Sequence, residues 1–493
     1  MRIILVAMLV FLIMSFSNHA HANVSEDFEK VRQYYAAGKY KKVISATDKL
    51  FKSNGLSQAR RSDLLEMRGS AFNNLEDYSN ALEALTTANS LASKVSLGRI
   101  RQERFYSFFN LDRMDEACDD MVFVAQNDPE SAQFFGVSTI NKVIKRLLKK
   151  DDHEKLYLLL SALHNGKYIG NEPFVSTDII YIHLVREYVK RKQFQEAKSV
   201  IAGLTQYNQL VNLKNDRSFE PLWSMPEFSQ LLDIRDFPAR QLKNTESLLK
   251  QYPKSLEATT NVITSLRLNG RNEEAISLAR AALEKLSFYD LDDRENQVFW
   301  AKNELAYALA SLGRNAEANE VFEPLLQIDL RDNGSVVSQV LNYGTILVAQ
   351  GNSQKALDIV KKAEGFTSSY GTLVRQYVSA CALYQMGRVG EAKTLLTQMY
   401  INGDDNVSSL LSTQVCLHEY DAMAQYIVKK LADAESRPLV FGVMQECKEN
   451  PLQSVYEKVF AMEIKKIRLR PEVEKAIDSV GIVLMEPVTC GNY

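Results

Sequence analysis

The chain is poor in the residues that carry chemistry. It has six histidines: His19, His21, His153, His164, His183 and His418. None of them stand at metal-ligand spacing, and no C-x-x-C occurs, so neither a zinc site nor a dithiol redox centre is expected. H-E-x-x-H, G-x-S-x-G and G-x-x-x-x-G-K-[ST] are also missing, which removes the signatures of a metalloprotease, a nucleophile elbow and a phosphate loop. The charges nearly cancel, at a formal −2. That balance speaks against nucleic acid and against a polybasic membrane surface. No cofactor is expected. Five cysteines, at 118, 381, 416, 447 and 490, are too few to staple a small-core fold. Cys118 and Cys381 fall within helical segments and are expected to pack as small apolar residues. Cys416 and Cys447 lie on late segments whose antiparallel course would allow a bridge. It would close a loop of about 30 residues and stabilise by about 3 to 4 kcal/mol. Cys490 is expected to be exposed and unpaired.

Long apolar runs are confined to the start. Arg2 precedes an almost wholly apolar stretch from Ile3 to Phe16, and Ala20-His21-Ala22 has the form of an A-x-A cleavage site. Residues 1–22 therefore read as a secretory signal peptide, too short in its apolar part to span a bilayer. The expected location is the periplasm, with no integral membrane segment after cleavage.

What the chain has in quantity is a repeated phrase. AAGKYKKVI, NLEDYSNAL, NLDRMDEAC, KRKQFQEAK, LNGRNEEAI, SLGRNAEAN, AQGNSQKAL and QMGRVGEAK share one layout. A turn residue (Gly38, Glu76, Asp112, Lys192, Gly270, Gly313, Gly351, Gly387) is followed five positions on by a small one. Those are Val43, Ala81, Ala117, Ala197, Ala275, Ala318, Ala356 and Ala392. Apolar residues flank each turn at helical spacing, as Ala306, Leu309 and Ala310 do before Gly313 and Ala318, Phe322 and Leu325 after it. Each unit is a helical hairpin that cannot bury its apolar face alone and needs neighbours. The small residue marks where two helices cross closely.

The layout resembles the tetratricopeptide repeat family. Gly69, Phe72, Ala81 and Ala88 match its pattern in the second copy, Pro129 closes the third, and Gly344, Ala356 and Ala363 match in a later one. The resemblance covers most of residues 25–400. It implies an all-α fold, a right-handed superhelical solenoid of about nine to eleven stacked hairpins with a C-terminal capping region. The expected organisation is a signal peptide at 1–22, repeats at 23–204, an irregular junction at 205–252, repeats at 253–400, and a degenerate repeat, capping helices and tail at 401–493. Asp151 and His418 mark degenerate turns. The junction is broken by Pro221, Pro226 and Pro238 and anchored by Phe219, Leu222, Trp223 and Phe228. Pro471 should end regular repetition, and Ser479–Pro487 should form a short strand or a tail folded back on the stack.

In such solenoids the first helix of each hairpin lines the concave face. Counting back from each turn places Arg32, Tyr35, Asn73, Tyr106, Arg186, Arg267, Trp300, Asn303, Tyr307, Tyr377 and Tyr384 there. Tyr and Trp offer large contact area, and Arg and Asn bond backbone groups or carboxylates, so the expected partner is a protein or extended peptide. Trp300, Asn303 and Tyr307 share one helical face. The same residues would equally serve to pack one repeat on the next. The function expected is that of a non-enzymatic exported scaffold, in envelope assembly or polymer export. Two other readings stand beside it. One is a cell-wall enzyme or its regulator, since Glu435-Ser436 and Gly442-Val443-Met444-Gln445 faintly resemble lytic transglycosylase phrases, at too short a spacing. The other is a chaperone for outer-membrane proteins.

Overall fold

The computed structural model describes residues 25–489 except 54–55, 173, 332–333 and 449–454. The segment 1–22 and Cys490 lie outside the described residues. The chain divides into two compact units, Met1–Glu187 and Tyr188–Tyr493.

Unit 1 is a run of helical hairpins. A helix at 25–36 (α1) turns into α2 (Tyr40–Phe51). The pairs α3 (Gln58–Asn74) with α4 (Tyr78–Leu91) and α5 (Leu97–Asn110) with α6 (Met114–Asn127) follow. A single turn of helix, α7 (Pro129–Ala132), leads to α8 (Val137–Lys149) and α9 (His153–Asn165), and α10 (Asp178–Lys190) carries the unit boundary. Each hairpin packs on the next, α2 on α3 and α4 on α5.

Unit 2 continues with α11 (Phe194–Ala202) and α12 (Tyr207–Asn215). The proline-rich stretch then breaks into a 3-10 turn (Arg217–Phe219), α13 (Glu220–Trp223) and α14 (Pro226–Ser229). Its anchors hold as the sequence suggests: Phe219, Leu222 and Phe228 are fully buried, and Trp223 donates from Nε1 to the Leu213 carbonyl at 2.8 Å. After α15 (Phe237–Gln251) come α16 (Leu256–Leu268) with α17 (Asn272–Glu284) and α18 (Leu291–Ser311) with α19 (Asn315–Phe322). Then follow α20 (Gly334–Ala349) with α21 (Ser353–Lys361), α22 (Ser369–Gln385) with α23 (Val389–Met399), and α24 (Val407–Cys416) with α25 (Tyr420–Ala432). The unit closes with α26 (Arg437–Met444), α27 (Val455–Arg468) and α28 (Pro471–Val480). Two short strands, β1 (Glu446–Lys448) and β2 (Met485–Thr489), pair in parallel. Pro471 starts α28. At the first helical position its missing N–H costs nothing and its φ is already helical.

The hairpin register follows from one backbone feature. All eight turn residues adopt a left-handed conformation, from φ +57° at Asp112 to +78° at Gly387. Asp151 and His418 do the same at +57° and +60°. Glycine takes this conformation freely, whereas Glu76, Asp112 and Lys192 take it against a steric penalty. Each turn is closed by an amide reaching back five residues, as Arg314 N–H does to the Leu309 carbonyl at 2.9 Å. The residue five positions after each turn is fully buried in every copy. At Gly69 and Gly344 an added Cβ would overlap Leu85 and Val360, so the first helix lies against the second at these points. An arginine next to the turn often grips the glutamate three residues on: Arg113–Glu116, Arg314–Glu317 and Arg388–Glu391 pair at 2.7 Å.

Cys416 does not reach for Cys447. It is disulfide-bonded to Cys381, with Cα atoms 5.7 Å apart. Cys381 is therefore not the simple packing residue that its place in a helix suggested. The cause is architectural: α22 and α24 are successive first helices in contact, and they bring the two cysteines side by side. Cys118 is buried and unpaired, and burial pushes its thiol up to about 11. Peptide mapping without reductant is expected to recover a Cys381–Cys416 cross-linked peptide; a Cys416–Cys447 peptide in its place would contradict this pairing.

Candidate functional site

The residues counted onto the inner layer are placed on the first helices, but most of them touch the neighbouring repeat. In unit 1 the Tyr35 hydroxyl and Ser70 Oγ lie 2.7 Å apart. Asn73 donates from Nδ2 to the Glu103 carbonyl at 2.9 Å and accepts from Ser107 Oγ at 2.8 Å. Tyr106 donates to the Phe134 carbonyl at 3.1 Å. Glu66 accepts from Arg99 Nη2 at 2.8 Å. Each contact steps across one repeat, from a first helix to the next unit along.

Unit 2 repeats the device in a buried setting. Arg267 donates from Nε to Glu304 Oε2 at 2.9 Å, their side chains only 6% and 10% exposed. The Arg267 guanidinium also lies over the Tyr307 ring, 5.4 Å from its centroid. Asn342 donates from Nδ2 to Asn303 Oδ1 at 2.9 Å, and Asn303 donates to Glu304 Oε1 at 3.3 Å. Burial raises the Tyr307 phenol well above its ordinary range, with Glu304 adding to the shift. Of the Trp300, Asn303, Tyr307 group, only Trp300 is exposed, at 37%. The other two share its helix face by spacing, but α16 and α20 close over them. Tyr377 is buried as well, and Tyr384 is half-buried with its ring 5.5 Å from that of His418.

What stays accessible on the first helices is mostly in unit 1. Arg32 is exposed and pairs loosely with Glu29 at 3.3 Å. Arg99, Lys142 and Lys145 are exposed, and Tyr35, Asn73, Tyr106 and Arg186 are half-buried. The acidic groups Asp63, Glu66 and Glu103 sit on α3 and α5, and Lys142, Lys145 and Arg186 on α8 and α10. Glu66 is buried against Arg99, so of these charged groups the exposed ones are the cations Arg32, Arg99, Lys142 and Lys145. Burial first, then the charges of Arg186 and Lys145, push the His183 pKa down to about 3. The folded unit keeps this ring neutral, while an unfolded chain protonates it below about pH 6.5. Stability should therefore fall as pH drops from about 6.5 towards 3. Urea titrations at pH 7 and pH 5 should show a smaller acid penalty in His183→Gln than in the parent chain. An equal penalty in both would remove His183 as the cause.

Glu435 is exposed on the turn between α25 and α26, where its N–H bonds Asp433. Gln445 is buried and structural: it donates to the Phe441 carbonyl at 2.8 Å and accepts from Leu484 N–H at 2.6 Å. General-acid chemistry on a glycoside needs a water-excluding cleft around the acid, and Glu435 has none of that enclosure. Among the described residues, no three His, Cys, Asp or Glu side chains gather as a metal site, and no helix is long and apolar enough to cross a membrane.

Counting back from the turns places Glu66 on the inner layer but does not single out Glu304 or Asn342. The available signal was complementarity at one repeat length, such as Arg267 to Glu304, 37 positions apart. No family model matches the chain, and no curated protein matches it.

Proposed function

We propose that this chain is a non-enzymatic scaffold of the tetratricopeptide repeat type, exported by the signal peptide at 1–22 to the periplasm. It holds a protein or extended peptide on the first-helix layer of unit 1. The observation that carries this reading is the half-exposed run of Tyr, Asn and Arg on successive first helices, with exposed cations at Arg32, Arg99, Lys142 and Lys145. On such a layer the aromatic rings supply contact area and the cations bond carboxylates or backbone carbonyls of an extended peptide. Trp300 is a second exposed anchor, on unit 2.

Site-specific photo-crosslinking tests this. A photoreactive residue at Arg32, Lys145 or Trp300 should capture one or two defined proteins. The same residue at Glu83, on a second helix, should capture neither. Equal capture from Glu83, or none from any site, would remove the assignment. Capture of many unrelated proteins would point to a chaperone instead.

A further inference from the structure

Unit 2 carries a recess where α22 begins and α23 ends, with a volume of about 260 Å³. Helix α22 and the residue before its cap supply Thr367, Ser369, Thr372 and Gln376. The end of α23 supplies Gln398, and Asn402 follows just beyond it. Leu373, only 2% exposed, completes the lining. Ser369, Thr372 and Gln376 share one helical face by their spacing. Their side of the recess is held by its own bonds. Ser368 Oγ accepts from Gly371 N–H at 3.2 Å and caps α22, and the Thr367 and Thr372 hydroxyls lie 2.7 Å apart.

The chemistry of the lining narrows what it can hold. None of the seven residues is charged, so nothing in the recess balances an ionic ligand. Six of them offer a hydroxyl or a primary amide. The side-chain amides of Gln376, Gln398 and Asn402 make no hydrogen bond to another described residue. Each therefore keeps two donors and a carbonyl acceptor free. A ligand that meets them all carries several donors and acceptors close together and no net charge. An extended peptide backbone offers one of each per residue, spread over about 3.3 Å of chain, and leaves most of these groups unmet. The hydroxyls of a sugar ring crowd closer, and each both gives and accepts. A sugar also has apolar C–H faces, and apolar side chains adjoin the recess along the chain. Phe366, 45% exposed, precedes Thr367, and Ile401, 80% exposed, precedes Asn402. The volume lies just below the range of roughly 300 to 1,000 Å³ usual for small-molecule sites, which suits one or two rings.

We propose that this recess binds a neutral saccharide. The amides of Gln376, Gln398 and Asn402 hold its hydroxyls, and Phe366 and Ile401 cover its apolar faces. The site lies wholly in unit 2 and is separate from the first-helix layer of unit 1, so either can fail without the other.

The test titrates the full chain by calorimetry with the trimers of glucose and of N-acetylglucosamine. At least one trimer should bind saturably, with a dissociation constant of about 1 mM or tighter, as a small open site allows. Tighter binding of the trimer than of its monomer would identify a glycan chain as the source of the ligand, and equal binding a free sugar. Gln376→Leu combined with Asn402→Leu should weaken the binding at least tenfold, and Gln398→Leu alone should weaken it in the same direction. These side chains have no protein partner to lose, so the melting temperature of each variant should match that of the parent chain. Equal affinity in parent and double variant would place the sugar elsewhere and overturn the proposal. Binding of neither trimer would overturn it too. So would tighter binding of the tripeptide Gly-Ser-Asn, blocked at both ends, because the recess would then be a peptide site.

Discussion

Glu304→Ala lowers the stability of unit 2 by about 3 to 5 kcal/mol, the usual cost of removing one partner from a buried ion pair. The reason lies in what remains. Arg267 is 6% exposed, and its Nη1 already lacks a hydrogen-bond partner. Without Glu304 it keeps a full charge with little water and only the Tyr307 ring to face. It cannot shed its proton to escape, because guanidinium stays charged. Glu304→Gln keeps an acceptor for Nε and should lose distinctly less. Urea unfolding followed by circular dichroism reads both. A loss below about 1 kcal/mol for the alanine variant would mean that solvent reaches the pair.

Phe322→Ala is the second large effect, again about 3 to 5 kcal/mol. The ring is 1% exposed and lies nearly parallel to that of Tyr343, at 15° and 5.0 Å between centroids. Removing it leaves a cavity between α19 and α20 and strips Tyr343 of its stacking partner. Hydrogen exchange should report the damage first in α18 to α21, because stacked hairpins pass stress chiefly to their neighbours. Uniform loss of protection over 237–432 would show that unit 2 behaves as one cooperative block.

Much of this arrangement can be read from residues alone. The turns were legible because a left-handed backbone followed by a close crossing requires particular residues. Gly313 and Ala318 meet those needs plainly, and the same positions were found even where Glu76 or Lys192 stands in for glycine. The apolar anchors Phe219, Leu222 and Phe228 were legible because prolines isolate them. The polar side chains were harder. Periodicity assigns Asn303 and Tyr307 to a helix face but does not say whether another helix covers it. That depends on how α16 and α20 approach, which is a property of the stack and not of one hairpin. The cysteines failed for a related reason. Contact between successive first helices, which no local pattern shows, brings Cys416 to Cys381. The contacts of Asp216 with Arg437 and Gly481 are invisible because nothing local in these residues announces a partner over two hundred positions away.

The contacts that join Asn215–Arg217 to Arg437, Asp478 and Ile482 also bear on the order of assembly. Each hairpin of unit 2 forms from contacts within a few dozen residues, so little chain entropy opposes it. Joining Asn215 to Ile482 is different, since the intervening chain would form a very long loop if it were still loose. The penalty becomes small only after the hairpins between them have stacked and carried the two ends together. Closure is therefore expected to follow the stacking of those hairpins. Until residue 482 has been delivered, the Asn215 carbonyl lacks the Ile482 N–H that it accepts from in the folded unit.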